Sequence, residues 1–252
     1  MNAASKMEMI RFTAKQLFLS RKTAALMVLS FFPLIIVFIW MYSPTDQPSS
    51  VFFSAVFTAI FLQFIALIIS LLYGTSLINT EISNKTISYL STRSLRREEI
   101  FLYRFFSVIP IAFFVVIAPI VVSLVTLSFY DGNLVILGEL AGYVAVVLLS
   151  IIVYVSFFSF LGVLLRRPLM MGLLFAFIWE IVLANFPGKI PNMTIMFYLR
   201  SISHYLIDSP WADYYQKALS LGVSVAVVMG ATIFFLFVGT FIFRHKNLVE
   251  KG

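Results

Sequence analysis

Six long apolar stretches alternate with short polar segments along this chain: Ala24–Tyr42, Val51–Ile78, Phe105–Phe129, Leu134–Leu165, Pro168–Phe186 and Ala218–Phe243. Each holds about 19 residues or more, enough for a helix to cross a ~30 Å hydrocarbon core at ~1.5 Å per residue. The pattern predicts an all-α integral membrane fold, one domain over residues 1–252 with six transmembrane helices. The second stretch is longer than a bilayer needs: Val51 to Thr80 as one helix would measure ~45 Å, so it tilts strongly or runs on past the membrane. Pro33, Pro110 and Pro119 lie inside spans, where they can kink a helix while neighbours re-satisfy the freed carbonyls. Gly138 and Gly142 form a GxxxG at one end of span four, a spacing that permits close helix packing. The first stretch leads into Ser43-Pro44-Thr45-Asp46 without a small-x-small cleavage pattern, so it is expected to remain as a span rather than leave as a signal peptide.

Three polar segments carry patterns of their own. In residues 1–22, Met7, Ile10, Ala14, Leu17 and Phe18 recur at helical spacing, with Lys6, Arg11, Lys15 and Lys22 on the other side. That predicts a basic amphipathic helix lying in the membrane interface. In residues 80–104, Ile82, Thr86, Tyr89 and Leu90 share one side of a short helix, flanked by Glu81, Lys85 and Ser88. Ser91–Ser94 interrupts it, and a second helix begins with Ser94 as N-cap and Glu98 and Glu99 near the positive end of its dipole. An apolar stripe outside the membrane needs lipid or a partner protein to press against. In residues 187–217, Ile195, Phe197, Tyr198, Ile202 and Tyr205 give a partly amphipathic run too short and polar to span, bounded by Pro187-Gly188 and Asp208-Ser209-Pro210. A re-entrant or interfacial hairpin fits it.

Composition narrows the function. The chain has 252 residues, 61% of them hydrophobic, which leaves no length for a soluble domain beside the spans. Its net charge of +7 belongs to the orientation signal and not to nucleic-acid binding. Fifteen of its 18 Lys and Arg fall in the N-terminal segment, the second and fourth gaps and the C-terminal tail; only Lys189, Arg200 and Lys217 fall on the other side. The positive-inside rule then puts both termini in the cytoplasm of a multi-pass cell-membrane protein. With no cysteine, thiol chemistry and Cys-based metal sites are excluded. Glu180 is the one ionisable side chain deep inside a span, either part of a path or gate or a partner for broken backbone near Pro187.

Catalysis finds little footing. Glu98-Glu99 followed by Arg104 is one residue too long for the Glu-Glu-x-x-x-Arg of intramembrane CAAX-type proteases, and His204 and His245 lie outside the spans. There is no P-loop, so the chain is not expected to be an enzyme or to hydrolyse ATP itself, and no cofactor is expected. An ion-coupled secondary carrier would carry more intramembrane charge and two related halves. That class and a non-transport membrane scaffold remain the alternatives.

The run Glu81-(x)4-Thr86-Ile87-x-x-Leu90-x-x-Arg93, followed by Arg96, Arg97 and Glu99-Ile100, resembles the Glu…Gly-Thr…Leu-Leu…Arg-Pro…Arg-x-Glu-Ile run of ABC-2 type transporter permeases. Lys85 stands where that family has glycine, and Ser94 where it has proline. The order of elements is similar too: an elbow helix, six spans, a cytoplasmic helix between spans two and three, and a re-entrant outer segment between spans five and six. The resemblance implies an ABC exporter in which two permease subunits pair around a path and separate ATPase subunits supply the energy. It implies that residues 81–93 form the coupling helix, with Thr86, Tyr89, Leu90 and Arg93 touching the ATPase and Glu81, Arg96 and Arg97 fixing the helix's orientation. Substrate is not implied.

Overall fold

The computed structural model of the protein describes residues 18, 20–43, 47–84, 97–132, 139–207 and 218–245, with backbone alone for 78–84, 97 and 131. All regular structure among them is helical. Six helical segments of 18 to 33 residues are long and apolar enough to cross a membrane, and they mark a multi-pass membrane protein.

Span one is two helices, α1 (Arg21–Ser30) and α2 (Pro33–Met41). Pro33 has no N–H and its ring crowds the carbonyl a turn earlier, so the ladder tightens ahead of it: Phe32 N bonds Leu29 O at 3.2 Å. Span two is one continuous helix in three parts, α3 (Ser49–Val56), a π-helical stretch (Phe57–Ala66) and α4 (Leu67–Asn84). It therefore runs six residues beyond the end of its apolar stretch at Ile78. Span three is α5 (Arg97–Asp131), unbroken through Pro110 and Pro119. Span four is α6 (Leu140–Leu164). Span five joins α7 (Pro168–Leu174) to a second π-helical stretch (Phe175–Val182) and a 3-10 turn (Leu183–Asn185). A further 3-10 turn (Ile190–Met193) leads into α8 (Ile195–Ile207), and α9 (Leu221–His245) forms span six.

Span four is the axis of the bundle, packed against spans two, three, five and six and against α8. Small residues let it come close. A Cβ at Gly74 would sit 2.7 Å from the Phe158 Cβ, and one at Gly162 would lie 3.4 Å from the Thr75 carbonyl oxygen. In lipid, where apolar burial drives little helix association, such backbone approach supplies the packing. Gly142 of the GxxxG pair serves α8: a Cβ there would run into the Leu206 carbonyl oxygen. Gly138 lies outside the described residues.

The helix ends sort into two sets. One end carries Arg21, Lys22, Arg104, Arg166, Arg167 and Arg244. There Lys22 Nζ donates to the Leu72 carbonyl at 2.7 Å and to Ser76 Oγ at 2.9 Å, and Arg104 Nη1 donates to the Leu77 carbonyl at 2.9 Å. Arg244 closes span six onto span three through Glu98 at 3.1 Å, above a Phe101–Phe243 ring contact. The opposite end is aromatic: Trp40 stacks on Phe52 and Tyr130 donates to the Met41 carbonyl, tying together spans one, two and three. Such rings suit a membrane–water boundary. Span six turns its outer face away from the bundle, with Phe237 72% exposed, as a lipid-facing helix does.

Hydroxyls within the spans donate to carbonyls of the preceding turn. Thr75 reaches Leu71, Ser123 reaches Pro119 and Thr232 reaches Val228. These hydroxyls are thereby satisfied where no water is at hand, whereas the buried hydroxyls of Ser70, Ser128 and Ser224 have no hydrogen-bond partner among the described residues.

Candidate functional site

About midway between the basic and aromatic ends, spans two and five are both π-helical, and polar side chains converge between them. Glu180 lies within the Phe175–Val182 stretch and is 1% exposed. Its Oε1 accepts from the Ile195 amide at 3.1 Å; its Oε2 accepts from the Met196 amide at 2.9 Å and the Tyr154 hydroxyl at 3.0 Å. Ile195 and Met196 open α8. The first four amides of any helix lack partners within it and carry the positive end of its dipole. Thr194 Oγ1 accepts the third of them, from Phe197, at 3.3 Å. Glu180 is thus an N-terminal cap supplied from another helix, placed where a carboxylate is most favourable.

Arg200 stands on α8 between Met196 and Ser203, on the face that the helix buries, and is 7% exposed. Its Nη2 donates to Gln63 Oε1 at 2.7 Å and to Asn185 Oδ1 at 2.9 Å, and its Nη1 donates to the Ala184 carbonyl at 3.2 Å. Gln63 belongs to the π-helical stretch of span two. The Ile181 carbonyl, in the other π-helical stretch, accepts from Asn185 Nδ2 at 2.6 Å and from Gln63 Nε2 at 3.4 Å. Widened turns do not close the ordinary backbone ladder, and here side-chain amides make up the bonding of one such carbonyl. The cluster holds one carboxylate and one guanidinium. Burying each is costly alone and tolerable when each is met by several hydrogen bonds of its own, as here. Trp179 Nε1, donating to the Met193 carbonyl at 3.2 Å, and Tyr198, donating to the Asn192 carbonyl at 2.9 Å, secure the turn that carries α8.

Of the ATPase-docking and path residues expected from the sequence, Glu180 is the one whose side chain is described. Its partners are the α8 backbone and a hydroxyl on span four. Glu81 falls in the last turn of α4 and Arg97 begins α5, each with backbone alone described. Thr86, Tyr89, Leu90, Arg93 and Arg96 lie outside the described residues, as do residues 1–17 of the expected elbow helix. Sequence reasoning missed Gln63, Tyr154 and Arg200 as members of a site, counting Arg200 among the outward cations. A signal was there: Met196, Arg200, Ser203 and Ile207 follow helical spacing, which sets an arginine on the apolar stripe of α8.

Compared with models of protein families, with curated proteins and with solved structures, the chain finds no match.

Proposed function

We propose that this chain is the membrane-spanning permease subunit of an ATP-driven ABC-2 type exporter. One observation carries the reading: the order of its elements. Six apolar helices form the bundle, and a short amphipathic helix, α8, is folded back against spans four and six between the fifth and the last. At the opposite, basic end the charged run 80–104 joins spans two and three. In this reading the basic end faces the cytoplasm with both termini, α8 is the re-entrant outer segment, and residues 1–22 form the interfacial elbow. Residues 81–93 dock a separate ATPase through Thr86, Tyr89, Leu90 and Arg93, with Glu81, Arg96 and Arg97 holding the segment. A second permease subunit completes the path, and the Glu180 cluster borders its outer half.

Copurification tests it. Tagged chain extracted from its native membrane should carry a P-loop ATPase, and Leu90→Asp should lose that protein while its membrane insertion is unchanged. Equal ATPase recovery with both chains would end the coupling-helix assignment.

A further inference from the structure

The bonds of the polar cluster are unevenly shared. α8 and the end of span five form one unit. Glu180 caps the first two amides of α8, Arg200 bonds the Asn185 side chain and the Ala184 carbonyl, and Trp179 holds the Met193 carbonyl. Span two meets that unit through Gln63, with one bond to Arg200 at 2.7 Å and a long one to the Ile181 carbonyl at 3.4 Å. Packing follows the same division. Toward the basic end, spans two and five are tight, since a Cβ at Gly172 would run into the Leu71 side chain. Over its length α8 lies mainly on spans four and six, and its contact with the Phe57–Ala66 stretch is slight.

Both helices that meet at this seam are π-helical on either side of it. A π-turn carries one more residue than an α-turn and can lose or move it, which turns the rest of the helix. The partner chemistry suits a contact that breaks and re-forms. A buried arginine facing a carboxylate is held by a two-pronged pair. Toward span two Arg200 meets one amide oxygen, that of Gln63, whereas toward span five it meets the Asn185 side chain and the Ala184 carbonyl.

We infer that the Gln63–Arg200 contact is a releasable latch, and that the bundle opens at its aromatic end by parting span two from the rigid unit of span five and α8. Span two pivots on its tight contact with span five near Gly172 and Leu71. Gln63 and Arg200 are positioning residues: they set which arrangement is populated and touch no substrate. The inference rests on the fold and not on the transporter assignment.

The chain has no cysteine, so paired spin labels can be introduced without background. Val51, at the start of span two, and Tyr205, on α8, are exposed side chains suited to labelling as Val51→Cys and Tyr205→Cys. The full chain in lipid nanodiscs, with no ATPase present, should give a main short-distance population and a minor longer one. Gln63→Leu, which removes an acceptor from a charged donor, should raise the longer-to-shorter ratio about tenfold. Gln63→Glu should move it the other way, toward a single short distance. A residue that merely supports the fold would broaden the distribution in both variants, and that result, or no change in Gln63→Leu, would overturn the latch. Because no ATPase is used, failure here leaves the copurification result standing, and failure there leaves this one.

Discussion

At the scale of single residues, the chain keeps a carboxylate and a guanidinium inside a membrane protein by giving each several partners. Glu180 accepts three hydrogen bonds, two of them from the start of α8. An amide in its place keeps one acceptor oxygen and turns N–H groups toward backbone N–H groups. Glu180→Gln should therefore destabilise the protein by about 2–3 kcal/mol, the range for bonds to charged groups. For a chain of this size that lowers the thermal midpoint by roughly 5–10 °C. Tyr154→Phe removes one donor and should cost about 1 kcal/mol. Scanning fluorimetry of the purified protein reads both, and a midpoint for Glu180→Gln equal to that of the unaltered chain would show that the capping bonds do not matter to stability. Glu180 itself was legible in the sequence because an acid amid apolar residues is conspicuous. Its partners were not. Gln63 and Arg200 are 137 residues apart, and Tyr154 reads as one more aromatic of an apolar helix. Hydropathy records which side chains dislike water and says nothing of which polar groups meet.

At the scale of elements, apolar length gave the number of spans, while helix ends followed hydrogen bonding. Val51–Ile78 became a helix from Ser49 to Asn84, and Phe105–Phe129 became one from Arg97 to Asp131, because a backbone ladder continues where hydropathy stops. The helix of the long second stretch extends six residues beyond its apolar end at Ile78. The π-helical stretches left no trace in the sequence, since an extra residue per turn changes register and not composition. Glycines report the same limit. Gly142 and Gly230 look alike in sequence, yet a Cβ at the first meets the Leu206 carbonyl and a Cβ at the second meets nothing within 4 Å. Gly142→Ala should push α8 off span four, cost about 1–3 kcal/mol and speed hydrogen exchange along residues 195–207. Gly230→Ala should be neutral or stabilise by up to about 1 kcal/mol, as alanine does in a helix. Equal exchange of α8 in the two variants would mean that Gly142 is no docking point.

At the scale of the whole molecule, one central span gathers the others, one end is held by cations on helix carbonyls and the other by stacked rings, and the Glu180–Arg200 cluster lies between them. The basic end was readable from the distribution of Lys and Arg, and there the cations bond carbonyls along the flank of span two. The functional reading adds an asymmetry: a motor bound at the basic end and an opening at the aromatic end. A photo-crosslinking residue in place of Tyr89, expressed in the native host, tests that claim most directly, with the same residue in place of Tyr205 as its counterpart. Irradiation should give an adduct at position 89 that contains a P-loop ATPase and none of that protein at position 205. An adduct at position 89 containing only lipid would contradict it.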